Sequence, residues 1–285
     1  MVKEKKSNEK DFGKELNPQA GYSNSIKDFH SVKLTKIIEE NPNIKTFYFD
    51  KQIDAKPGQF IMLWLPGVNE KPFAFSNLGK NCSITVQKRG PFTEELFKSR
   101  KGTILGIRGP FGKGFETKGA KNAAIIAGGC GIAPLKPLAE ELKKNKSKIY
   151  VSLGVRNKEY LFFKKEFKKL SNELKIFSED GSVGKKGYPT EALEEFIKSK
   201  RIDCVFACGP EILLKKVFDI CEKRKIKCQL SLERYVKCAI GICGQCAIDD
   251  QLVCRDGPIF SNEKLRRLKE LGKFSRNAEG KKSCL

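Results

Sequence analysis

Apolar positions in the first part of the chain recur with a period of two. Val32 and Leu34, Phe47 and Phe49, Gln59-Phe60-Ile61-Met62-Leu63-Trp64-Leu65, Ser83-Ile84-Thr85-Val86 and Thr103-Ile104-Leu105-Gly106-Ile107 form short runs, set apart by Pro57-Gly58, Pro66-Gly67 and Gly79-Lys80-Asn81. Short strands at this close spacing predict an antiparallel barrel, interrupted by one short helix over about 92–99. After Gly119 the rhythm changes. Apolar strands over 123–127, 149–153, 174–177, 204–207 and 226–230 alternate with segments of helical period over 135–144, 158–170, 190–198 and 211–223. Strand and helix in alternation predict a parallel, doubly wound α/β sheet. Near the end, Ser261 is placed to cap a helix carrying Leu265, Leu268 and Leu271 on one face, with Gly272 as its stop.

The expected organisation is therefore multi-domain: a disordered basic tail over 1–28, an antiparallel β-barrel over 29–118, an α/β unit over 119–228, a small cysteine-bearing unit over 229–262, and a helix with a polar tail over 263–285. A length of 285 residues suits about two domains plus extensions. No apolar run reaches the roughly 20 residues needed to cross a bilayer, and Met1-Val2-Lys3-Glu4-Lys5-Lys6 has no signal-peptide core. The expectation is a soluble, cytoplasmic protein with no membrane association.

The net charge of +22 raises the question of nucleic acid. The lysines, however, are dispersed over Lys143-Lys144-Asn145-Lys146, Lys164-Lys165, Lys168-Lys169, Lys223-Arg224-Lys225 and Lys281-Lys282, as on solvated helix faces. No nucleic-acid partner is expected, and a basic surface could instead steer an acidic protein. A single histidine, His30, excludes multi-histidine metal sites. Eleven cysteines, an odd total, fit a reducing compartment with free thiols, and Cys82, Cys204, Cys221, Cys228 and Cys284 receive no role.

Four cysteines stand apart. Cys238, Cys243 and Cys246 are spaced C-x4-C-x2-C, and Cys254 follows. This is the plant-type [2Fe-2S] ligand pattern, in which a tight loop places thiolates around a small cluster. Gly241 and Gly244 allow the sharp turns, and inward N–H groups would offset the negative charge of the sulfurs. A four-cysteine zinc site or disulfides are the alternatives. Zinc ribbons usually pair two C-x2-C knuckles, which this spacing lacks.

Upstream, Gly128-Gly129-Cys130-Gly131-Ile132-Ala133-Pro134 stands between a strand and a helix, where glycines let a pyrophosphate approach the backbone. Gly154-Val155-Arg156 and Cys208-Gly209-Pro210 end two further strands, and ligands of open parallel sheets bind at that edge. The alternative is that these glycines serve tight turns only. In the barrel, Lys71-Pro72-Phe73-Ala74 leaves a strand and Gly90-Pro91-Phe92-Thr93 opens the short helix. A cation, an aromatic ring and a positive helix end could converge there on a flavin dinucleotide. Each piece also has a structural reading: Phe73 as core, Lys71 as solvated, Thr93 as a cap.

Taken in order, these motifs resemble the ferredoxin-NADP reductase superfamily. Within it the chain is similar to the electron-transfer subunits of NAD-linked dihydroorotate dehydrogenase. The likeness rests on Pro57-Gly58-Gln59-Phe60, Glu70-Lys71-Pro72-Phe73, Arg108-Gly109-Pro110-Phe111-Gly112-Lys113-Gly114-Phe115, the cysteine loop and Val253-Cys254-Arg255-Asp256-Gly257-Pro258, over about 30–276.

The resemblance implies an FAD-binding barrel, an NAD-binding α/β domain and a [2Fe-2S] cluster held by Cys238, Cys243, Cys246 and Cys254. It implies a partner subunit carrying FMN that oxidises dihydroorotate, in a heterotetramer with two of each subunit. It puts cofactor contacts at Lys71, Pro72, Phe73, Ala74, Gly90, Thr93, Gly128, Gly129, Gly131, Ile132, Ala133, Pro134, Arg156, Cys208, Gly209 and Pro210, with no catalytic side chain.

Lys71 and Ala74 depart from the arginine and the hydroxyl residue usual at the ends of the flavin motif, and a lysine lacks arginine's bidentate fork. Glu179-Asp180, after the third strand, would favour NAD over a 2'-phosphorylated nucleotide. Two other assignments remain: an FAD and iron-sulfur NAD(P)H-oxidoreductase subunit of another complex, of sulfhydrogenase or ferredoxin-NADP reductase type, and a zinc-containing, basic nucleic-acid-binding protein.

Overall fold

The structure is a computed structural model that describes residues 29–285. The expected tail over 1–28 lies outside the described residues. Strands β1 (Phe29–Asn41), β2 (Ile44–Phe49), β3 (Phe60–Leu65), β4 (Asn69–Asn77), β5 (Ser83–Gln87) and β6 (Ile104–Phe111) close into an antiparallel barrel in the order β1-β2-β5-β4-β3-β6. Alternate side chains fill it: Val32, Leu34, Phe47, Ile61, Leu63, Phe75, Ile84, Leu105 and Ile107 are buried in one cluster. The sequence pattern hides β4, because Pro72 and the charged Glu70 and Lys71 break its alternation. Helix α1 (Pro91–Phe97) lies between β5 and β6.

Then come β7 (Asn122–Gly128), α2 (Ile132–Lys144), β8 (Lys148–Val155), α3 (Lys164–Leu170), β9 (Glu173–Ser178), β10 (Lys185–Lys186), α4 (Pro189–Ser199), β11 (Cys204–Cys208), α5 (Glu211–Arg224) and β12 (Lys227–Ser231). The helix expected over 158–170 shrinks to α3, because Phe163 takes a left-handed φ of 56° just before it. Strand order is β10-β9-β8-β7-β11-β12, all parallel. Ala123, Ile125 and Ala127 of β7 pack with α2 and α3, while Ala124 and Ile126 pack with α4 and α5. The sheet is thus doubly wound, with a helical layer on each face.

The remaining elements are β13 (Ala247–Ile248), β14 (Gln251–Leu252), α6 (Val253–Asp256), β15 (Ile259–Ser261), α7 (Asn262–Leu265), β16 (Phe274–Arg276) and β17 (Lys282–Cys284). Strand β15 joins the large sheet antiparallel to β12, Ser231 facing Ile259. The helix expected after Ser261 is a single turn, although Leu265, Leu268 and Leu271 are all buried. Within the expected polar tail, β16 and β17 form a hairpin.

One buried ion pair fastens the segment after β12 to the rest. Arg234 and Glu211 side chains are 2% and 10% exposed, and Arg234 Nη2 donates to Glu211 Oε1 at 3.0 Å and to the Phe274 carbonyl at 3.3 Å. The Gly272 N–H donates to the same carboxylate at 2.8 Å. Glu211→Gln leaves a buried guanidinium without its counter-charge, and should lower unfolding stability by about 3 kcal/mol. Denaturant unfolding checks this, and a loss inside the ordinary surface range of about 0.5 kcal/mol contradicts it.

Candidate functional site

Strand order reverses between β7 and β11, so the turns after them share one crevice at the carboxyl edge of the sheet. The turns touch through glycine. A Cβ on Gly131 would stand 2.7 Å from the Gly209 nitrogen, and one on Gly209, itself at φ 151°, would stand 2.9 Å from the Gly128 nitrogen. Gly129, at φ 53°, has nothing within 4 Å of that position and borders open space. Three of these four glycines therefore bring backbone against backbone, and the fourth faces a ligand-sized void.

That void is a cavity of about 690 Å³ between barrel and sheet. From the expected set, Lys71, Pro72, Phe73, Ala74, Gly90 and Thr93 line it on the barrel side. Gly128, Gly129, Gly131, Ala133, Pro134, Cys208, Gly209 and Pro210 line the sheet side. Ile132 and Arg156 are not on the wall. Ile132 is fully buried in the core under α2, and Arg156 is exposed, its guanidinium 6.0 Å from the Tyr160 ring. Arg89, Glu233 and Val236 are wall residues that the motifs did not mark. Position alone could have drawn notice to them, since Arg89 precedes Gly90 and Glu233 precedes the first cysteine.

The barrel side is pre-arranged. Lys71 Nζ donates to Tyr235 Oη at 3.0 Å and lies 4.8 Å from its ring centre, so this lysine is anchored and not simply solvated. The Phe73 and Phe92 rings stack at 5.9 Å and 29°. Thr93 Oγ1 accepts the Arg89 and Gly90 N–H groups at 2.8 and 3.1 Å and donates to the Gly90 carbonyl at 2.9 Å, which makes it the brace of this turn. Helix α1 has only seven residues, so the positive charge at this end comes mainly from Arg89 and Lys71. Glu233 is solvent-exposed at the cavity mouth, yet the protein mass around its carboxyl raises the pKa by partial desolvation, and Arg89 opposes the rise. Cys130, beside it, is pushed up to about 11 by burial and by the Glu233 charge. Cationic groups, a stacked ring pair and apolar walls fit an aromatic dinucleotide.

The four cysteines fall into two pairs. The Cys243 N–H points at Cys238 Sγ at 3.5 Å, and the Cys254 N–H at Cys246 Sγ at 3.4 Å. Burial raises the Cys238 pKa, but the Cys243, Ile242 and Ile240 N–H groups outweigh it and bring the thiol down to about 7. Cys246 is drawn to about 6, first by the Cys254 thiol that donates to it, while Cys254 is raised by the same bond. Among the described residues, no three His, Cys, Asp or Glu side chains converge as on one ion. Two thiol pairs inside a shell of N–H donors fit a two-iron cluster, with one pair for each iron.

The loop meets both other units. Arg108 holds Glu70 through Nε at 2.8 Å and Nη2 at 2.7 Å, and its Nη1 lies 3.5 Å from the Cys238 carbonyl oxygen. On the other side, Val253, which precedes Cys254, forms part of the cavity wall.

Comparison with known proteins agrees with this layout. Residues 233–266 match the iron-sulfur cluster binding domain of dihydroorotate dehydrogenase B, and residues 125–219 the oxidoreductase NAD-binding domain. A relative from Methanocaldococcus jannaschii, a probable dihydroorotate dehydrogenase B (NAD(+)) electron transfer subunit, is 49% identical over 88% of this chain and 96% of its own. A protein of the same description from Pyrococcus furiosus is 45% identical over 88% and 97%. Among solved structures, that of the NADH-dependent reduced ferredoxin-NADP oxidoreductase superposes with a TM-score of 0.75 at 28% identity, covering 84% of this chain and 92% of that one.

Because the crevice depends on backbone contact at Gly131, Gly131→Ala should cost about 2 kcal/mol by overpacking. Calorimetric unfolding of the purified variant reads this out, and an unchanged transition contradicts the contact.

Proposed function

The chain belongs to the family of dihydroorotate dehydrogenase B (NAD(+)) electron transfer subunits, and on that premise we propose where its cofactors sit and what it serves. FAD occupies the cavity, NAD the glycine turns, and a [2Fe-2S] cluster the four cysteines. The partner is a catalytic subunit that carries FMN and oxidises dihydroorotate in pyrimidine biosynthesis. Two copies of each subunit assemble in the cytoplasm. The observation that carries this reading is convergence: Lys71 of the barrel, Gly128 of the sheet and Val253 beside Cys254 border one cavity.

When bound, FAD exchanges electron pairs with NAD and single electrons with the cluster, and the hydride and electron chemistry belongs to these cofactors. The chain's own groups bind and orient. Lys71 and Arg89 neutralise phosphate as point charges or a fork. Phe73 and Phe92 form an apolar bed, and Ala74 contributes shape alone. The turn at Gly129 gives a pyrophosphate room against the backbone. With the nucleotide bound, Cys208 and Gly209 would contact its nicotinamide end, and Arg156, exposed beside the Tyr160 ring, would supply a positive charge for its phosphates. After β9, Asp180 is held below the usual carboxylate range by the Ser182 hydroxyl and N–H, so it stays anionic and, with Glu179, favours ribose hydroxyls over a 2'-phosphate. Cys238, Cys243, Cys246 and Cys254 are the cluster ligands. The likeness to the ferredoxin-NADP oxidoreductase supports a second reading, the same module serving a different complex.

Co-expression with the candidate catalytic subunit separates the two. The expected outcome is dihydroorotate-dependent NAD reduction, and a stable, cofactor-loaded complex without that activity contradicts the first reading. Cys243→Ser should cut electron delivery to the partner at least tenfold while NADH oxidation by an artificial acceptor changes less than about twofold. Equal loss of both with FAD retained contradicts the assigned route.

A further inference from the structure

The outer face of the barrel is covered at one end and bare at the other. Along β6 the side chains of Ile104, Gly106 and Arg108 share that face, while Leu105 and Ile107 point into the barrel. On the flanking strands, Phe29 stands opposite Arg108, Lys33 opposite Ile104, and Trp64 opposite Gly106. At the Arg108 end the face is closed: Met62, paired with Arg108, is buried in the same cluster as Ala239, Cys246 and Cys254. Away from it Trp64 and Ile104 are 40% and 58% exposed, and Phe29, which is 53% exposed, pairs with Arg108 but carries its ring back over Gly106.

The bare end has been shaped for contact. The Phe29 and Trp64 rings meet at 5.9 Å and 58°. Both lie over Gly106, where a Cβ would stand 2.8 Å from Trp64 Cε3 and 2.8 Å from Phe29 Cε2. Any other residue at Gly106 would lift the rings off the sheet. Exposed tryptophan and phenylalanine held in one orientation are the side chains that dominate protein interfaces, and a contiguous apolar patch of this kind marks a docking site.

We infer that the Phe29, Trp64 and Ile104 patch is where the catalytic partner subunit anchors, so that one continuous face presents both the anchor and the cluster. The partner is favoured by continuity. Ile104 lies about 13 Å along the strand from Arg108, and Arg108 touches the cysteine loop at Cys238. The same loop exposes Ile242, at 69%, and Cys243. A partner that exchanges electrons with the cluster must cover that edge, and one of ordinary interface size also reaches the patch. Lys33 and the chain's excess of positive charge suit a partner surface that is apolar at its centre and acidic at its rim. The inference rests on the functional assignment made above.

Trp64 is the only tryptophan of the chain, which gives a direct probe. With fluorotryptophan incorporated into this chain alone and the full-length protein cofactor-loaded, fluorine NMR should show one signal. It should be solvent-exposed in the free chain and should shift and lose exposure when the unlabelled catalytic subunit binds. In parallel, Ile104→Glu should weaken the complex at least tenfold, while flavin and iron content and NADH oxidation by an artificial acceptor stay unchanged. A complex that forms with the Trp64 signal unmoved, or binds Ile104→Glu as tightly as wild type, overturns the surface and leaves the function standing. Wild-type chain that forms no complex overturns the function and this surface with it. A signal already protected in the free chain overturns the proposal too: protection lost on dilution assigns the patch to a second copy, and protection lost on removal of residues 1–28 assigns it to that segment.

Discussion

The structure depends on a pinned excursion. The chain leaves the large sheet at Ser231, at the end of β12, and re-enters it at Ile259, in β15, and these two residues face each other across an antiparallel pair. Everything between them, including Cys238, Cys243, Cys246 and Cys254, is an excursion closed at its base by sheet hydrogen bonds. The Leu232 N–H donates to the Pro258 carbonyl at 2.9 Å and the Lys113 N–H to the Gly257 carbonyl at 2.6 Å, tying the base of the loop to itself and to the strand that leaves the barrel. Closing a loop limits how far its contents can wander. The Arg108 and Arg234 anchors then fix its orientation against the barrel and α5. A site that must hold several groups at set distances needs such support from rigid elements.

The nucleotide crevice uses a different device. Two turns belonging to neighbouring strands are brought into backbone contact at Gly128, Gly131 and Gly209, where side chains would force them apart. The void this leaves is bordered on its far side by the anchored Lys71 and the Thr93-braced turn. The cavity therefore exists because two domains and the excursion each contribute an edge, and none of the three would form it alone.

Much of this was legible in the chain because its signals are local. Four cysteines in one short stretch, glycine turns at strand ends and a change from period two to strand-helix alternation need no long-range information. What stayed hidden depends on tertiary pairing. Strand β4 carries Pro72 and two charges and is a strand only because β3 and β5 flank it. Strand β15 has three residues and reads as a loop until β12 lies beside it. Ile132 sits inside a glycine motif yet is core, because helix phase turns it away from the turn its neighbours face. Arg89 and Glu233 belong to no motif, and they meet the cavity only once barrel, sheet and excursion come together. Lys71 and Thr93 show the mixed case: their positions were marked, but the Tyr235 partner and the bracing role emerge from packing.

The central claim is that cavity and cysteine loop form one connected redox unit within this chain. Anaerobic titration of the purified holoprotein with NADH, followed together by absorption and electron paramagnetic resonance, tests it most directly. The account predicts bleaching of the flavin bands with the appearance of a reduced two-iron signal approaching about one spin per chain. A chain loaded with flavin and iron whose flavin bleaches while no cluster signal ever appears would contradict it.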